Sequence, residues 1–461
     1  MKRMQAKSMG GALLAALSSV LLLAPSAHAD DPKISFEKYT LSNGLEVILH
    51  QDRSVPLVAA NLWYHVGSGD ETPGKSGFAH LFEHMMFQGA KHIGEDVHFK
   101  ILEAIGASEV NGTTNTDRTN YFEVVPSHHL ELALWLESDR MGYLLPVVTK
   151  ESFDNQREVV RNERRQRVDN VPYGKERVAL NLALYDDGHP YRHLVIGLHE
   201  DLAKASLDDV KDFFKKWYVP SNATLVLAGD FEVPDAKRAV EKWLGGFPKL
   251  PRPTHKEVGP TIPIQTKRVE VSDDFAKLRR VHYAWHTPRM HAEGDAELDI
   301  LANVLGQEGT GRLYKILVHE KQLAQSVHVM QHSAGFSSVF HVIVDLRSGA
   351  DMAEVEKILD QELVRLQKEP ITQREFDRAV LGFEAAFTWG LESLMARVEL
   401  LQAYNHYVGK PDYITQDLDR YRKSSPEKVR QVAEKFLGKA QRVEVITSPK
   451  ARDAKTSEAR Q

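Results

Sequence analysis

The sequence predicts an α+β fold that consists of two structurally similar α/β sandwich-like domains joined by a linker. Runs rich in β-branched and aromatic residues flank a long stretch of helical periodicity in the first half of the chain. Residues 248–267 then include five prolines and several charges without sustained periodicity, which is typical of an inter-domain linker. The same order of strands and helices recurs after this segment, so the two halves are predicted to share one fold.

The first domain is predicted over residues 33–247 and begins with a strand pair. Residues 45–50 and 57–66 are rich in aliphatic and aromatic side chains, and a polar stretch separates them. Helical periodicity dominates residues 128–217. The other predicted elements are helices at about 77–87, 97–105 and 235–244 and strands at 121–125 and 223–229.

The second domain is predicted over residues 268–448. Its pattern repeats the order of the first domain, with strands, then short helices, then strands, then a long helical block and a last strand. The predicted strands are 268–271, 278–285, 325–331, 339–345 and 442–447, and the predicted helices are 295–305, 313–320 and a block at 352–437.

The N-terminal residues 1–29 are predicted to be a cleavable signal peptide rather than a membrane anchor. Basic residues precede an uncharged stretch at 10–24, and Ala27-His28-Ala29 has the small-residue pattern of a cleavage site. The uncharged stretch is shorter than the roughly 20 residues that span a bilayer. We therefore expect cleavage after Ala29 and a periplasmic or secreted bacterial protein that is not attached to a membrane.

The composition excludes several classes of function. The net charge is -5 and the pI is near 6.5, so no basic field favours binding to nucleic acid. Cysteine is absent, which excludes disulfides, thiolate metal ligands and a cysteine nucleophile. The sequence contains no P-loop, nucleophile elbow or dinucleotide fingerprint. Residues 449–461 are predicted to be a disordered tail.

The segment His80-Leu81-Phe82-Glu83-His84 predicts a metal site. Histidines four residues apart share one face of a helix and can bind one ion. Glu83 lies near that face and can approach a water on the metal without being a ligand, so it is the candidate general base. The flanking residues are mostly apolar and predict a buried helix, where two histidines and a glutamate without partners would be costly.

A catalytic zinc site with two histidines needs a third protein ligand, and Glu163 is the favoured candidate. Helical phase over residues 151–170 places Glu163 on the apolar side and Glu158 on the charged side. The sequence therefore predicts Zn²⁺ bound by His80, His84 and Glu163, with Glu158 as a solvated surface carboxylate.

These residues and several flanking motifs resemble the insulinase or pitrilysin family of zinc metallopeptidases. The similarity covers about residues 36–448 and includes landmarks such as Gly67-Ser68-Gly69 and the segment 111–121. The resemblance implies a duplicated insulinase-type fold with an N-terminal metal-binding peptidase domain and a C-terminal inactive domain. It also implies that His80, His84 and Glu163 are the zinc ligands and that Glu83 activates the water. The short length is similar to the branch that contains mitochondrial processing peptidase and bacterial periplasmic relatives.

The resemblance implies how substrate binds. The segment from Ala107 to Asn111 is expected to form an edge strand, to which a peptide substrate adds as a β-strand. This mode recognises the peptide backbone more than its side chains. The expected activity is therefore that of a zinc-dependent metalloendopeptidase that hydrolyses peptides or unfolded polypeptide segments.

The chain departs from the family pattern at two places. Active members commonly have a further glutamate seven residues before the third ligand, where this chain has Gln156. Many members also have an Arg and a Tyr in the second half that hold substrate, and alignment places Val318 and Gln325 there. We therefore expect a paired insulinase-like subunit to supply the Arg/Tyr pair in a heterodimer, although a homodimer is also compatible with the sequence.

Two other interpretations remain open from the sequence. The first is a non-catalytic or scaffold subunit of a processing-peptidase-like complex, and the second is a non-catalytic zinc module, in which protein would fill the fourth ligand position. Scaffold relatives tend to lose the ligands, whereas all of them are present here. Arg312 and Tyr314 have the wrong spacing and are assigned no catalytic role. The glycine-rich segment 306–311 is interpreted as a turn, and the histidines at 128, 129 and 189 as surface or packing residues.

Overall fold

A computed structural model of the chain describes residues 31–258 and 265–450. Within them the elements form two mixed sheets with covering helices, which confirms the predicted fold class. The predicted signal peptide and residues 451–461 of the predicted tail lie outside the described residues. Among the described helices, none combines the length and the apolar character needed to cross a membrane.

The first half contains the larger sheet. Its strands are β1 (Glu37–Thr40), β2 (Glu46–Gln51), β3 (Leu57–Tyr64), β4 (Ser108–Thr114), β5 (Thr119–Pro126) and β6 (Ala223–Gly229). Its helices are α1 (Phe78–Met85), α2 (Val97–Ala104), α3 (Leu130–Tyr143), α4 (Lys150–Arg164), α5 (Gly174–Leu184), α6 (His199–Lys204), α7 (Leu207–Trp217) and α8 (Val233–Leu244).

The described strands of the first half are ordered β1-β2-β6-β3-β5-β4. The prediction that β2 and β3 pair with each other is wrong, because β6 lies between them, parallel to β2 and antiparallel to β3. Every residue of β6 is buried, as its uninterrupted apolar run requires of a central strand. Local sequence marks the strands, but it does not show that a strand from far along the chain inserts between two neighbours.

The second half contains the smaller sheet. Its strands are β7 (Lys267–Asp273), β8 (Arg280–Thr287), β9 (Ala324–His332), β10 (Ser338–Leu346) and β11 (Val443–Pro449). Its helices are α9 (Asp295–Gly306), α10 (Arg312–Tyr314), which continues as a π-helix over Lys315–Glu320, α11 (Met352–Lys368), α12 (Gln373–Gly390), α13 (Leu394–Tyr407), α14 (Ile414–Arg422) and α15 (Pro426–Phe436).

The two halves share one connectivity. The described strands of the second half are ordered β7-β11-β8-β10-β9, with β11 parallel to β7 and antiparallel to β8. This order matches β2-β6-β3-β5-β4 of the first half strand by strand, and β1 is an addition at the edge. The similarity of the halves that the sequence predicts is therefore present in the topology of the sheets.

One helix of each half covers the sheet of the other half. α13 packs on β3 and β6, where Met395, Val398 and Leu401 join a buried apolar cluster of the first sheet. Conversely, α5 packs on β7, β8 and β11 through Leu180 and Leu184. α5 is the third helix between β5 and β6, and α13 is the third between β10 and β11. The two halves thus exchange equivalent helices.

The segment between the halves has no regular secondary structure where it is described. Residues 248–258 form neither helix nor strand, and β7 begins at Lys267. Residues 259–264 of the predicted linker lie outside the described residues. At the other end, β11 extends to Pro449, one residue into the predicted tail.

Candidate metal centre and active site

Helix α1 begins at a buried carboxylate. The backbone N–H groups of Gly77 and Ala79 donate to Glu71 at 2.8 and 2.7 Å, so this side chain satisfies donors that the first helical turn leaves free. Burial raises the pKa of Glu71 well above its usual value. Gly77 has φ of +89°, and a Cβ there would lie 2.8 Å from the carbonyl oxygen of Ile196. These features fix the start of the helix that carries His80 and His84.

Helix α4 presents Glu163 to α1. The helix begins with a capping box, in which Thr149 accepts a hydrogen bond from the backbone N–H of Ser152. Directly after Arg164 the helix widens into a π-helical turn, Arg165–Asp169, a feature that is frequent at functional sites. Arg167 Nη1 lies 2.8 Å from Glu163 Oε1 and holds one oxygen of this carboxylate.

The other oxygen of Glu163 faces both histidines. Glu163 Oε2 lies 3.5 Å from His80 Nε2 and 3.3 Å from His84 Nε2. This oxygen is buried, and no donor among the described residues forms a hydrogen bond to it. The contact with the His84 imidazole lowers the pKa of Glu163, and burial lowers the pKa of His80 to about 4, which keeps this imidazole neutral near pH 7.

This donor set fits zinc. Tetrahedral zinc with ligands about 2.0–2.2 Å away places the ligand atoms about 3.3–3.6 Å apart, which is the spacing between Glu163 and each histidine. Among the described residues, His80, His84 and Glu163 are the group whose ligand atoms all lie within 4.8 Å of one another. The three residues that the sequence predicts as ligands are therefore brought together, and they offer two imidazole nitrogens and one carboxylate oxygen.

Glu83 lies beside this group and is oriented by β4. Its Oε2 accepts a hydrogen bond of 2.6 Å from Thr114 Oγ1. Burial raises the pKa of Glu83, and the hydrogen bond from Thr114 opposes that rise. A Cβ at Gly112 would lie 3.2 Å from Glu83 Cγ, so glycine lets β4 approach α1 closely. Sequence reasoning did not assign a role to Thr114, and the only signal was its place in the landmark 111–121.

A groove of about 750 Å³ opens on these side chains. One wall is β4, which pairs with β5 and with no other described strand, so one of its edges is free. Asn111 lies on this strand and lines the groove. Ala107 lies one residue before β4 and is outside the groove lining. The predicted edge strand is therefore present, but it begins one residue later than predicted and extends three residues further, to Thr114.

The remaining residues of α4 follow the predicted phase. Gln156 is buried and lines the groove together with Val159. Glu158 is half-buried and pairs with Arg161 at 2.6 Å on the outer side of the helix. Glu158 thus has a structural partner, away from the metal ligands.

The second half shows no Arg/Tyr pair at the aligned positions. Val318 is buried in the apolar core, and Gln325 is an exposed residue of β9. Arg312 is held by carboxylates of two helices, Glu362 at 2.9 Å and Glu375 at 2.7 Å. These ion pairs give Arg312 a structural role, in agreement with the sequence analysis.

The glycine-rich segment is a connection between two helices, and His189 has a packing role. Residues 306–311 connect α9 to α10, and a Cβ at Gly306 would meet the side chain of Val329 at 2.7 Å. His189 stacks on Tyr185 and accepts a hydrogen bond from a backbone N–H. Both observations favour the packing interpretation.

Two family models match consecutive parts of the chain: "Insulinase (Peptidase family M16)" matches residues 46–186, and "Peptidase M16 inactive domain" matches residues 204–383. The zinc protease PqqE of Helicobacter pylori is 31% identical over 427 residues, which cover 88% of this chain and 92% of that protein. The chain belongs to the insulinase family, M16. The residues matched by the insulinase family, 46–186, include His80, His84 and Glu163.

Solved structures of M16 proteins have the same fold. A protease from Helicobacter pylori superposes with a TM-score of 0.83 at 27% identity, covering 90% of this chain and all of that chain (100%). The periplasmic protease PqqL from Escherichia coli gives a TM-score of 0.74 at 18% identity, with 91% of this chain but 48% of that chain covered. This M16 protein is thus similar in fold to one half of the longer PqqL chain.

Proposed function

We propose that this M16 protein is a zinc-dependent metalloendopeptidase that hydrolyses peptides or unfolded polypeptide segments. The observation that carries the proposal is the placement of His80 Nε2 and His84 Nε2 at 3.5 and 3.3 Å from an oxygen of Glu163, inside a groove with a free strand edge. The name zinc protease, given to the similar PqqE of Helicobacter pylori, supports the same activity.

The chain's own residues divide the work of hydrolysis. His80, His84 and Glu163 would hold the ion, and zinc bound there would supply Lewis acidity, which lowers the pKa of water and polarises the scissile carbonyl. Glu83 Oε1 is free of the Thr114 contact and is the oxygen that would take a proton from the attacking water and pass it to the leaving amine. The free edge of β4 would bind the substrate backbone as an added strand.

Replacing Glu83 by Gln tests the assignment of the base. Glu83→Gln keeps the shape and a hydrogen-bond acceptor for Thr114, and it removes the proton acceptor. We expect zinc content equal to wild type, measured by elemental analysis, and hydrolysis of an unfolded peptide reduced by at least about 100-fold. Undiminished cleavage by the zinc-loaded variant would exclude Glu83 as the base.

The proposal includes a paired subunit. The aligned positions of the second half hold Val318 and Gln325, and Arg312 is engaged by Glu362 and Glu375. A second M16 subunit would therefore supply the Arg and Tyr that bind substrate, in a heterodimer. A second copy of this chain would bring the same Val and Gln, so the homodimer is the less complete assembly. Full peptide hydrolysis by the purified chain alone, with no gain from any paired subunit, would contradict this.

The alternative is a scaffold subunit that has kept the fold without activity. The retained ligands, the retained base and the contact that orients Glu83 favour the enzyme. For location, we propose a periplasmic or secreted protein that is cleaved after Ala29. Mass spectrometry of the protein recovered from the periplasmic fraction tests this, because an intact N-terminus there would contradict cleavage.

A further inference from the structure

The turn between β4 and β5, residues 115–118, is held by both halves of the molecule. Asp117 accepts hydrogen bonds from the hydroxyl of Tyr191 in the first half and from Tyr407 Oη, at 3.1 Å, in the second half. The backbone N–H of Gly335, also in the second half, donates to Asp117 Oδ2 at 3.0 Å. A single carboxylate at the tip of this turn therefore joins three separate segments of the chain.

The other side of the turn rests on residues 67–69. The backbone N–H groups of Ser68 and Gly69 donate to the carbonyl oxygens of Asn115 and Thr116 at 3.0 and 2.8 Å. A Cβ at Gly67 would lie 2.5 Å from backbone atoms of the turn, so no larger residue fits without displacing it. The turn is thus confined on both sides.

A second polar connection joins helix α13 to the same end of β4. Glu399 of α13 accepts a hydrogen bond from Asn120 Nδ2 at 3.0 Å, and Asn120 Oδ1 accepts one from Thr113 Oγ1 at 2.6 Å. Glu399 is largely buried, and burial raises its pKa. α13, which belongs to the second half, therefore contacts this hairpin at its turn through Tyr407 and along its strands through Glu399.

The turn end of β4 is also the end that contacts the candidate base. Thr114 directly precedes the turn, and its hydroxyl donates to Glu83. Two residues, Asn115 and Thr116, lie between Thr114 and Asp117 in the chain. Because catalysis is sensitive to displacements of about 1 Å, a shift of the turn would reach Glu83 through Thr114.

We propose that Asp117, together with Tyr407, is a positioning residue of the peptidase site, which fixes the turn end of β4 against the second half and so holds Thr114 on Glu83. This inference rests on the proposed peptidase function for its effect on rate. The hydrogen bonds by which Asp117 holds the turn do not depend on activity. Asp117 touches neither the groove nor the three ligands, and it acts through Thr114.

Tyr407→Phe in the full-length, zinc-loaded protein is the test variant. It removes one hydroxyl and leaves the other donors of Asp117 in place, whereas Asp117→Ala would leave several buried donors without an acceptor and endanger folding. Tyr404→Phe is the matched control, because Tyr404 lies on the same helix and its hydroxyl donates to Asp417 at 2.7 Å within the second half.

Two readouts separate positioning from general stability. Hydrogen exchange of the amides at 113–119 should become about 10-fold faster in Tyr407→Phe and remain unchanged in Tyr404→Phe. For an unfolded peptide substrate, kcat should fall about 10-fold in Tyr407→Phe while KM changes by no more than about twofold, with zinc content unchanged.

Unchanged exchange at 113–119 in Tyr407→Phe, or equal changes of exchange and kcat in both variants, would overturn the inference. If the zinc-loaded wild-type protein, with its paired subunit, hydrolyses no peptide, the proposed function fails. In that case, hydrogen exchange at residues 113–119 still decides whether Asp117 and Tyr407 hold the turn in place.

Discussion

Thr114 and Glu83 are joined by a hydrogen bond of 2.6 Å that crosses from β4 to α1. Among the described residues, this hydroxyl is the hydrogen-bond partner of the partly buried Glu83 carboxylate at Oε2. This contact leaves Oε1 free of Thr114, and Glu83 lines the groove. The strand that would bind substrate thus also orients the candidate base.

Thr114→Val removes this contact at nearly constant volume. We expect kcat for an unfolded peptide to fall about 10-fold with zinc content unchanged, because Glu83 gains rotational freedom. Thr447→Val is the control, since Thr447 of β11 makes an equivalent 2.7 Å hydrogen bond to Glu176 of α5. A similar loss of kcat in both variants would show a global effect instead.

Glu163→Gln should abolish zinc retention. The amide replaces a carboxylate oxygen that lies within 3.5 Å of both ligand nitrogens, so the site loses its charge and one of three ligands. Elemental analysis after dialysis against a weak chelator measures the effect. Glu158→Gln on the outer face of α4 should retain zinc like wild type, and retention by both variants would remove Glu163 from the ligand set.

Gly67→Ala should destabilise the protein by about 1–3 kcal/mol. The added methyl would lie 2.5 Å from the backbone of Asn115, Thr116 and Asp117, and backbone atoms cannot move aside as a flexible side chain can. Denaturant unfolding measures the change. Gly246→Ala is the control, because nothing lies within 4 Å of its Cβ position. Equal stability of the two variants would contradict the tight packing of the turn.

Asp299 predicts a pH dependence of stability. Burial raises the pKa of this carboxyl to about 7, and Tyr421 Oη donates to it at 2.7 Å. The pKa of an Asp in the unfolded chain is about 3.9. Between about pH 4 and pH 7 the native state therefore binds more protons at this group than the unfolded state does. The stability that the group contributes falls as pH rises through that window.

Asp299→Asn is neutral at every pH and keeps an oxygen for Tyr421. The difference in free energy of unfolding, Asp299→Asn minus wild type, should therefore be larger at pH 8 than at pH 4 by at least about 1 kcal/mol. Denaturant titrations of both proteins at the two pH values give the difference. A difference that does not vary with pH would mean that Asp299 ionises normally in the native state.

Local pattern was sufficient to predict most helices and strands and the three candidate ligand side chains that the structure brings together. The spacing of His80 and His84 is a property of α1 alone, and the phase of Glu163 is a property of α4 alone. Within a single helix, periodicity determines which side chains share a face. Strand order was not accessible in this way, because the insertion of β6 between β2 and β3 depends on contacts between distant segments. For the same reason, the contacts of Thr114 and Asp117 emerged only from the folded chain.

The exchange of α5 and α13 has a consequence for the origin of this architecture. In a single-copy unit with this topology, the third helix would cover the sheet of a second copy, as in a domain-swapped homodimer. In the present chain the two copies are fused, so the partner helix is always available at high effective concentration, at any dilution of the protein. Fusion also removes the symmetry of a homodimer, and among the described residues the candidate metal group occurs in the first half alone.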